Sequence, residues 1–185
     1  YWVVAARMFD PTTVGINTTV VSTLGLLGIV AQLNLGSAML RFVPVVGRGA
    51  RAFVAACNAA GVGAAVVIGT GFALGAGWWA PELQAAVGAG ALVAYFALAT
   101  PFWTVFNMQD YLLTGIKRAT VVPFENLGFA LLKIVLLVVG GLLGFSGAIA
   151  GSWALGTAVT VVAITIYLSR VLPPHQARAE RPPSP

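Results

Sequence analysis

VVPFENLGFALLKIVLLVVGGLLGFSGAIAGSWALGTAVTVVAITIYLS, residues 121–169, decides the fold. As one helix it would be about 74 Å long at about 1.5 Å per residue, more than twice the hydrocarbon thickness of a bilayer, about 30 Å. The segment therefore has to fold back. Gly140, Gly141, Gly144, Phe145, Ser146 and Gly147 form the natural reversal, which gives helices near 121–143 and 148–170. Each is long enough for one crossing.

Outward from this hairpin the same pattern repeats. Between Asp10 and Arg41 no residue is charged, and Pro11, Thr12 and Thr13 suit a turn and a helix start, so a helix is expected at 14–40. A second crossing follows at 51–76. Trp78, Trp79, Pro81 and Glu82 read as an interfacial belt and turn, and a further helix is expected at 83–109, ending at Asp110. Tyr1 to Ala6 is apolar and too short to span. It reads as the end of a first helix whose beginning is missing, covering 1–9.

The composition agrees. Hydrophobic residues make up 59% of the chain, charged residues 8%, and mean hydropathy is +0.93. Soluble domains carry about a quarter charged residues. The expected fold class is all-α and integral to the membrane: a polytopic helical bundle with five complete transmembrane helices plus the end of a truncated one. Residues 1–172 form the helical lobe, and Pro173 to Pro185, rich in Pro and Arg, reads as a linker or tail.

The cations orient this bundle. Arg41, Arg48 and Arg51, then Lys117 and Arg118, then Arg170 with Arg178 and Arg181, recur after every second crossing and so share one side. The positive-inside tendency makes that side cytoplasmic. A net charge of +5 does not imply nucleic acid, because these cations sit at helix ends and not on one solvated face. Cys57 is a single cysteine within an apolar helix, and His175 lies in the tail without ligand neighbours at metal spacing. No metal, cofactor or catalytic group is expected, and the chain reads as a non-enzyme: no nucleophile elbow, His/Cys cluster or paired acidic motif is present.

Lys133 is the one cation that topology leaves unexplained. It lies near the middle of its helix, where a cation costs about 2.5–3.5 kcal/mol on insertion scales. Asn126, Ala130, Lys133, Leu137 and Gly140 share a stripe, with Glu125 on the same half of the helix. Two readings follow: a polar stripe facing a hydrated cavity where Lys133 attracts an anion, or a lysine that snorkels or pairs with a carboxylate on another helix. Arg7 and Asp10 flank an outer turn, as an interfacial pair or with Arg7 at a cavity mouth. Asp110 and Glu125 flank the loop of Lys117 and Arg118 and can balance them. Gln32 and Asn34 are candidates for hydrogen bonds between helices. Gly71/Gly75, Gly140/Gly144 and Gly147/Gly151 are small-xxx-small pairs that suit close helix packing. Asn17, followed by two threonines, fits a glycosylation acceptor in form but lies too near the membrane.

Leu33-Asn34-Leu35-Gly36-Ser37-Ala38-Met39-Leu40-Arg41-Phe42-Val43-Pro44 resembles the end of the second helix in polysaccharide and O-antigen flippases of the multidrug/oligosaccharidyl-lipid/polysaccharide exporter superfamily. Ala6-Arg7 through Pro11 to Gly15 resembles that family's first outer turn. Gln109-Asp110 through Gly115 to Arg118-Ala119 resembles its loop between helices four and five, and Val122-Pro123-Phe124-Glu125-Asn126 to Lys133 its fifth helix. The resemblance implies the N-terminal lobe of a transporter that flips undecaprenyl-pyrophosphate-linked oligosaccharide across the bacterial inner membrane by alternating access. It implies a cationic cavity to which Lys133 and Arg7 contribute charge, with Arg41 at the cytoplasmic rim; with Asn126 and Glu125 from the stripe, Lys133 and Arg7 are the candidate substrate-binding residues. Lipid-linked oligosaccharide, membrane lipids and polysaccharide-synthesis machinery are the implied partners. The alternatives are a multidrug/cation antiporter of the same superfamily and a noncatalytic scaffold of a polysaccharide-synthesis complex.

Overall fold

A computed structural model describes residues 1–179 of the chain. They form eight α-helices and, among the described residues, no strand: α1 Trp2–Met8, α2 Pro11–Ala31, α3 Leu35–Val46, α4 Ala50–Trp79, α5 Pro81–Val87, α6 Ala89–Gly115, α7 Val122–Leu142 and α8 Ala148–Ala179. Five helical segments are long and apolar enough to cross a membrane. Leu26, Val67, Leu74, Leu131, Val135 and Leu143 lie exposed on the outside of the bundle, as suits helices whose outer faces meet lipid.

The expected crossings are present, with two of the expected helices broken and the ends of others shifted. The helix expected at 14–40 is broken: α2 ends at Ala31 and α3 begins at Leu35. Leu33 and Asn34 take φ of 49° and 58°, the left-handed region, which interrupts the helical ladder in the middle of an apolar run. Asn34 is suited to that conformation, Leu33 is not, and composition alone gives no sign of the break. α3 then carries Arg41 on a helix that continues to Val46, with the reversal at Gly47–Gly49.

The helix expected at 83–109 is likewise two. Gly88, at φ 90°, separates α5 from α6, a backbone conformation only glycine adopts without strain. α6 runs on to Gly115, so Asp110 lies inside a helix and not at its end. α4 extends to Trp79, so Trp78 and Trp79 close the helix before the turn at Ala80. α8 continues to Ala179, beyond the expected end at 170 and into the segment that composition sets apart as a tail; residues 180–185 of that tail lie outside the described residues.

α6 is the axis of the packing. α4 lies antiparallel to it on a ridge of small residues, Cys57, Gly61, Ala65, Gly69 and Ala73, all buried. Where lipid gives apolar side chains no reason to leave their surroundings, close backbone approach is what holds helices together. The glycines that achieve it are not the expected pair: Gly71 faces open space and the atoms nearest a Cβ at Gly75 belong to Trp79 of its own helix. The ridge follows every fourth residue, and Gly71 is off it.

At the end of the bundle that carries Trp78, Asp10 caps α2, its carboxylate accepting from the Thr13 amide at 3.0 Å and the Thr13 hydroxyl at 2.5 Å. Asn17 is buried and not available to modification. Its Nδ2 donates to Thr13 O at 2.9 Å and Ser146 O at 3.2 Å, and its Oδ1 accepts from the Ala150 amide at 3.1 Å. One side chain thus joins α2 to the α7–α8 turn and to the start of α8. Asn17→Leu leaves the Ala150 amide without a partner, and a loss of about 1–3 kcal/mol is expected in detergent-solubilised thermal unfolding; an unchanged melting temperature would show that water replaces the bridge.

Candidate functional site

α7 and α8 form the hairpin read from the sequence, and the face α7 turns inward is the row Glu125, Phe129, Lys133 and Leu137. It differs from the stripe expected from Asn126 and Lys133. Residues four apart form the ridge by which helices interlock, and this ridge drifts around the helix, so the buried row selects Glu125 over Asn126. Asn126 is exposed, its Nδ2 donating to Val122 O at 3.0 Å.

Lys133 is only 9% exposed. Among the described residues no carboxylate pairs with it. Aromatic rings flank it. Its Nζ stands 3.7 Å from the ring centre of Trp153, 4.7 Å from Phe129 and 4.9 Å from Tyr1. A cation over desolvated aromatic faces gains about 2 kcal/mol or more.

The rings belong to a larger cluster. Trp103 stacks on Phe106 with centroids 5.5 Å apart, Phe129 meets both, and Trp153 lies 5.4 Å from Trp103 and 5.8 Å from Phe129. Tyr1 closes the site from α1, meeting Trp153 edge-on. Its hydroxyl donates to Ile149 O at 3.1 Å and lies 2.7 Å from Ser152 Oγ. Trp153 Nε1 is buried beside the Tyr1 hydroxyl and forms no well-aligned hydrogen bond.

No family model, curated protein or solved structure matches the chain. The site therefore has to be read from its own residues.

The four residues singled out from the sequence do not converge. Arg7 is exposed at the end of α1 and forms no ion pair with Asp10, whose carboxylate is spent on the α2 cap. Glu125 lies two turns before Lys133 on the same row. Neither Glu125 nor Asp110 pairs with Lys117 or Arg118, both of which are exposed. A cleft of about 410 Å³ opens near the Trp78 end, lined by Asn17, Tyr95, Phe145 and Ser146 among others, and none of the four candidates lines it. Gln32 and Asn34 make no hydrogen bond between helices; Gln32 Nε2 is buried and unpartnered.

The rings around Lys133 were not singled out from the sequence. Phe129 precedes Lys133 by one turn, a spacing that places both on one face. Trp103 and Trp153 sit inside helices and not at their interfacial ends, which is the signal that separates them from Trp78 and Trp79.

Proposed function

We propose that the chain is one lobe of an alternating-access exporter for an anionic, lipid-linked oligosaccharide, the reading to which its resemblance to polysaccharide flippases points. The observation that carries it is Lys133: a cation midway along a membrane-length helix, with rings for neighbours and no anion among the described residues. Rings solvate a cation in part but leave its charge uncancelled. A pyrophosphate head group would cancel it, and the unspent Trp153 Nε1 supplies a donor beside it. Tyr1, Phe129 and Trp153 flank Nζ, and admitting a bulky head group requires Tyr1 and Trp153 to part. The Tyr1 hydroxyl bonds to α8 are the contacts that yield first.

A multidrug/cation antiporter is the second reading, favoured by Glu125 and Asp110, two acids within membrane-length helices. A scaffold is the third, and it makes Lys133 dispensable. The test is export in cells that depend on the full-length protein, with Lys133→Ala and Lys133→Arg compared at matched protein levels. Losing one charged hydrogen bond, about 1.5–3 kcal/mol, predicts an export deficit of about tenfold or more for Lys133→Ala, with lipid-linked intermediate accumulating and Lys133→Arg retaining part of the activity. Undiminished export by Lys133→Ala at normal abundance excludes this reading and leaves the scaffold.

A further inference from the structure

We propose that a notch between α4 and α8, floored by α6, seats the headgroup of a phospholipid that ends in a primary ammonium. α4 and α8 both pack on α6 but hardly on each other. The gap is a cavity of about 160 Å³ lined by Asn58, Gln109, Thr165 and Ser169 among apolar residues such as Met108 and Leu168. Gln109 is 3% exposed, and its Nε2 donates to Val161 O at 3.2 Å and to Thr165 Oγ1 at 3.0 Å. A carbonyl only accepts, so Val161 O fixes which way the Gln109 amide is turned and leaves its Oε1 buried without a donor. On the α4 wall, Asn58 Oδ1 is buried and unpartnered as well.

The notch is therefore short of donors. Ser169 uses its hydroxyl proton on Ile166 O at 2.8 Å and keeps its lone pairs, a third acceptor. Buried acceptors left without donors are costly, so the ligand that fits brings several N–H groups at once. A primary ammonium carries three on one atom, and hydrogen bonds from a charged donor are about twice as strong as those from water. Among the described residues no carboxylate lines the notch, so a bare cation would find nothing to cancel its charge. A zwitterionic headgroup brings its own phosphate. Arg51 lies seven residues before Asn58 on the same face of α4, and Arg170 follows Ser169; both are exposed and offer that phosphate a guanidinium.

Position selects a lipid over a soluble amine. Thr165 and Ser169 are exposed on the flank of α8, so the notch opens sideways from the bundle. Gln109 precedes the end of α6 at Gly115, and Asn58 follows the start of α4 at Ala50, by about 9–12 Å at about 1.5 Å per residue. The headgroup region of each leaflet is about 5–7 Å deep, which puts the acceptors near its inner boundary. Deeper in the membrane, Ile166 and Val162 are exposed on α8 and give the acyl chains an apolar track. The site stands whether or not Lys133 meets a sugar lipid.

Native mass spectrometry of the full-length protein tests this, with phosphatidylethanolamine, its N-monomethyl and N,N-dimethyl forms and phosphatidylcholine, all carrying the same chains. The series removes N–H donors one at a time and leaves the phosphate and the net charge unchanged. Affinity should fall along it, by about tenfold or more between the two ends, as expected for losing hydrogen bonds from a charged donor. Asn58→Leu and Gln109→Met should each flatten the series. Asn58 is only half-buried, so Asn58→Leu carries the comparison if Gln109→Met fails to fold. Equal binding of the two end members by the native protein, the result expected of a notch that holds only water, overturns the proposal. So does a folded variant that keeps the full native preference.

Discussion

Gly69→Ala lowers the melting temperature of the bundle, whereas Gly71→Ala, two residues along the same helix, leaves it unchanged or raises it. The chemistry of the two substitutions is identical, so the difference isolates packing. A Cβ at Gly69 would stand 2.6 Å from the Phe96 carbonyl oxygen and 2.8 Å from Thr100 Oγ1, and the first of these is backbone that cannot turn aside. A Cβ at Gly71 meets nothing within 4 Å. Overpacking of this kind costs about 1–3 kcal/mol, or about 2–12 °C for a chain of this size. At Gly71 the only effect is the conformational gain of alanine over glycine in a helix, up to about 1 kcal/mol. Thermal unfolding of both variants in one detergent decides it. Equal melting temperatures would mean that α4 and α6 do not approach at Gly69, and the small-residue ridge would lose its role.

That ridge also shows where the sequence is informative. Helix-ending punctuation is strong at Pro81 and from Gly140 to Gly147, and there the expected turns and the observed ones agree. It is weak at Leu33 and Asn34, because an unbroken apolar run looks the same whether its backbone is straight or interrupted. Periodicity does not help either: a lipid-facing helix is apolar on every side, so the buried face cannot be told from hydrophobicity. For this reason the sequence does not distinguish Gly71 and Gly75 from Gly61 and Gly69. The candidate site divides in the same way. A lone cation among apolar residues marks Lys133 without any structure, but the faces that enclose it come from α1 and α8 as well as α7, and only the fold brings Tyr1 and Trp153 to Phe129. Glu125 and Asn126, adjacent in sequence, part company because one falls on the packed ridge and the other beside it.

Lys133→Met is expected to make the protein more stable while removing the proposed export activity. Burying the ammonium at the centre of a membrane helix costs about 2.5–3.5 kcal/mol, and cation–π contact with the rings offsets about 2 kcal/mol of it. Roughly 1 kcal/mol is left uncompensated, with no carboxylate to cancel it. Methionine has similar length, fits the same space and keeps a favourable sulfur–aromatic contact with Trp153 and Phe129 of about 0.3–1.5 kcal/mol. The substitution therefore raises the melting temperature by about 2–4 °C or more. A residue that lowers stability and is needed for activity is one retained for its chemistry, since nothing in the packing asks for it. The sign of the shift is the informative quantity. If Lys133→Met melts below the native protein, the rings hold the ammonium more tightly than the membrane penalises it, Lys133 is a structural post, and the case for an anionic substrate at this site loses the observation it stands on.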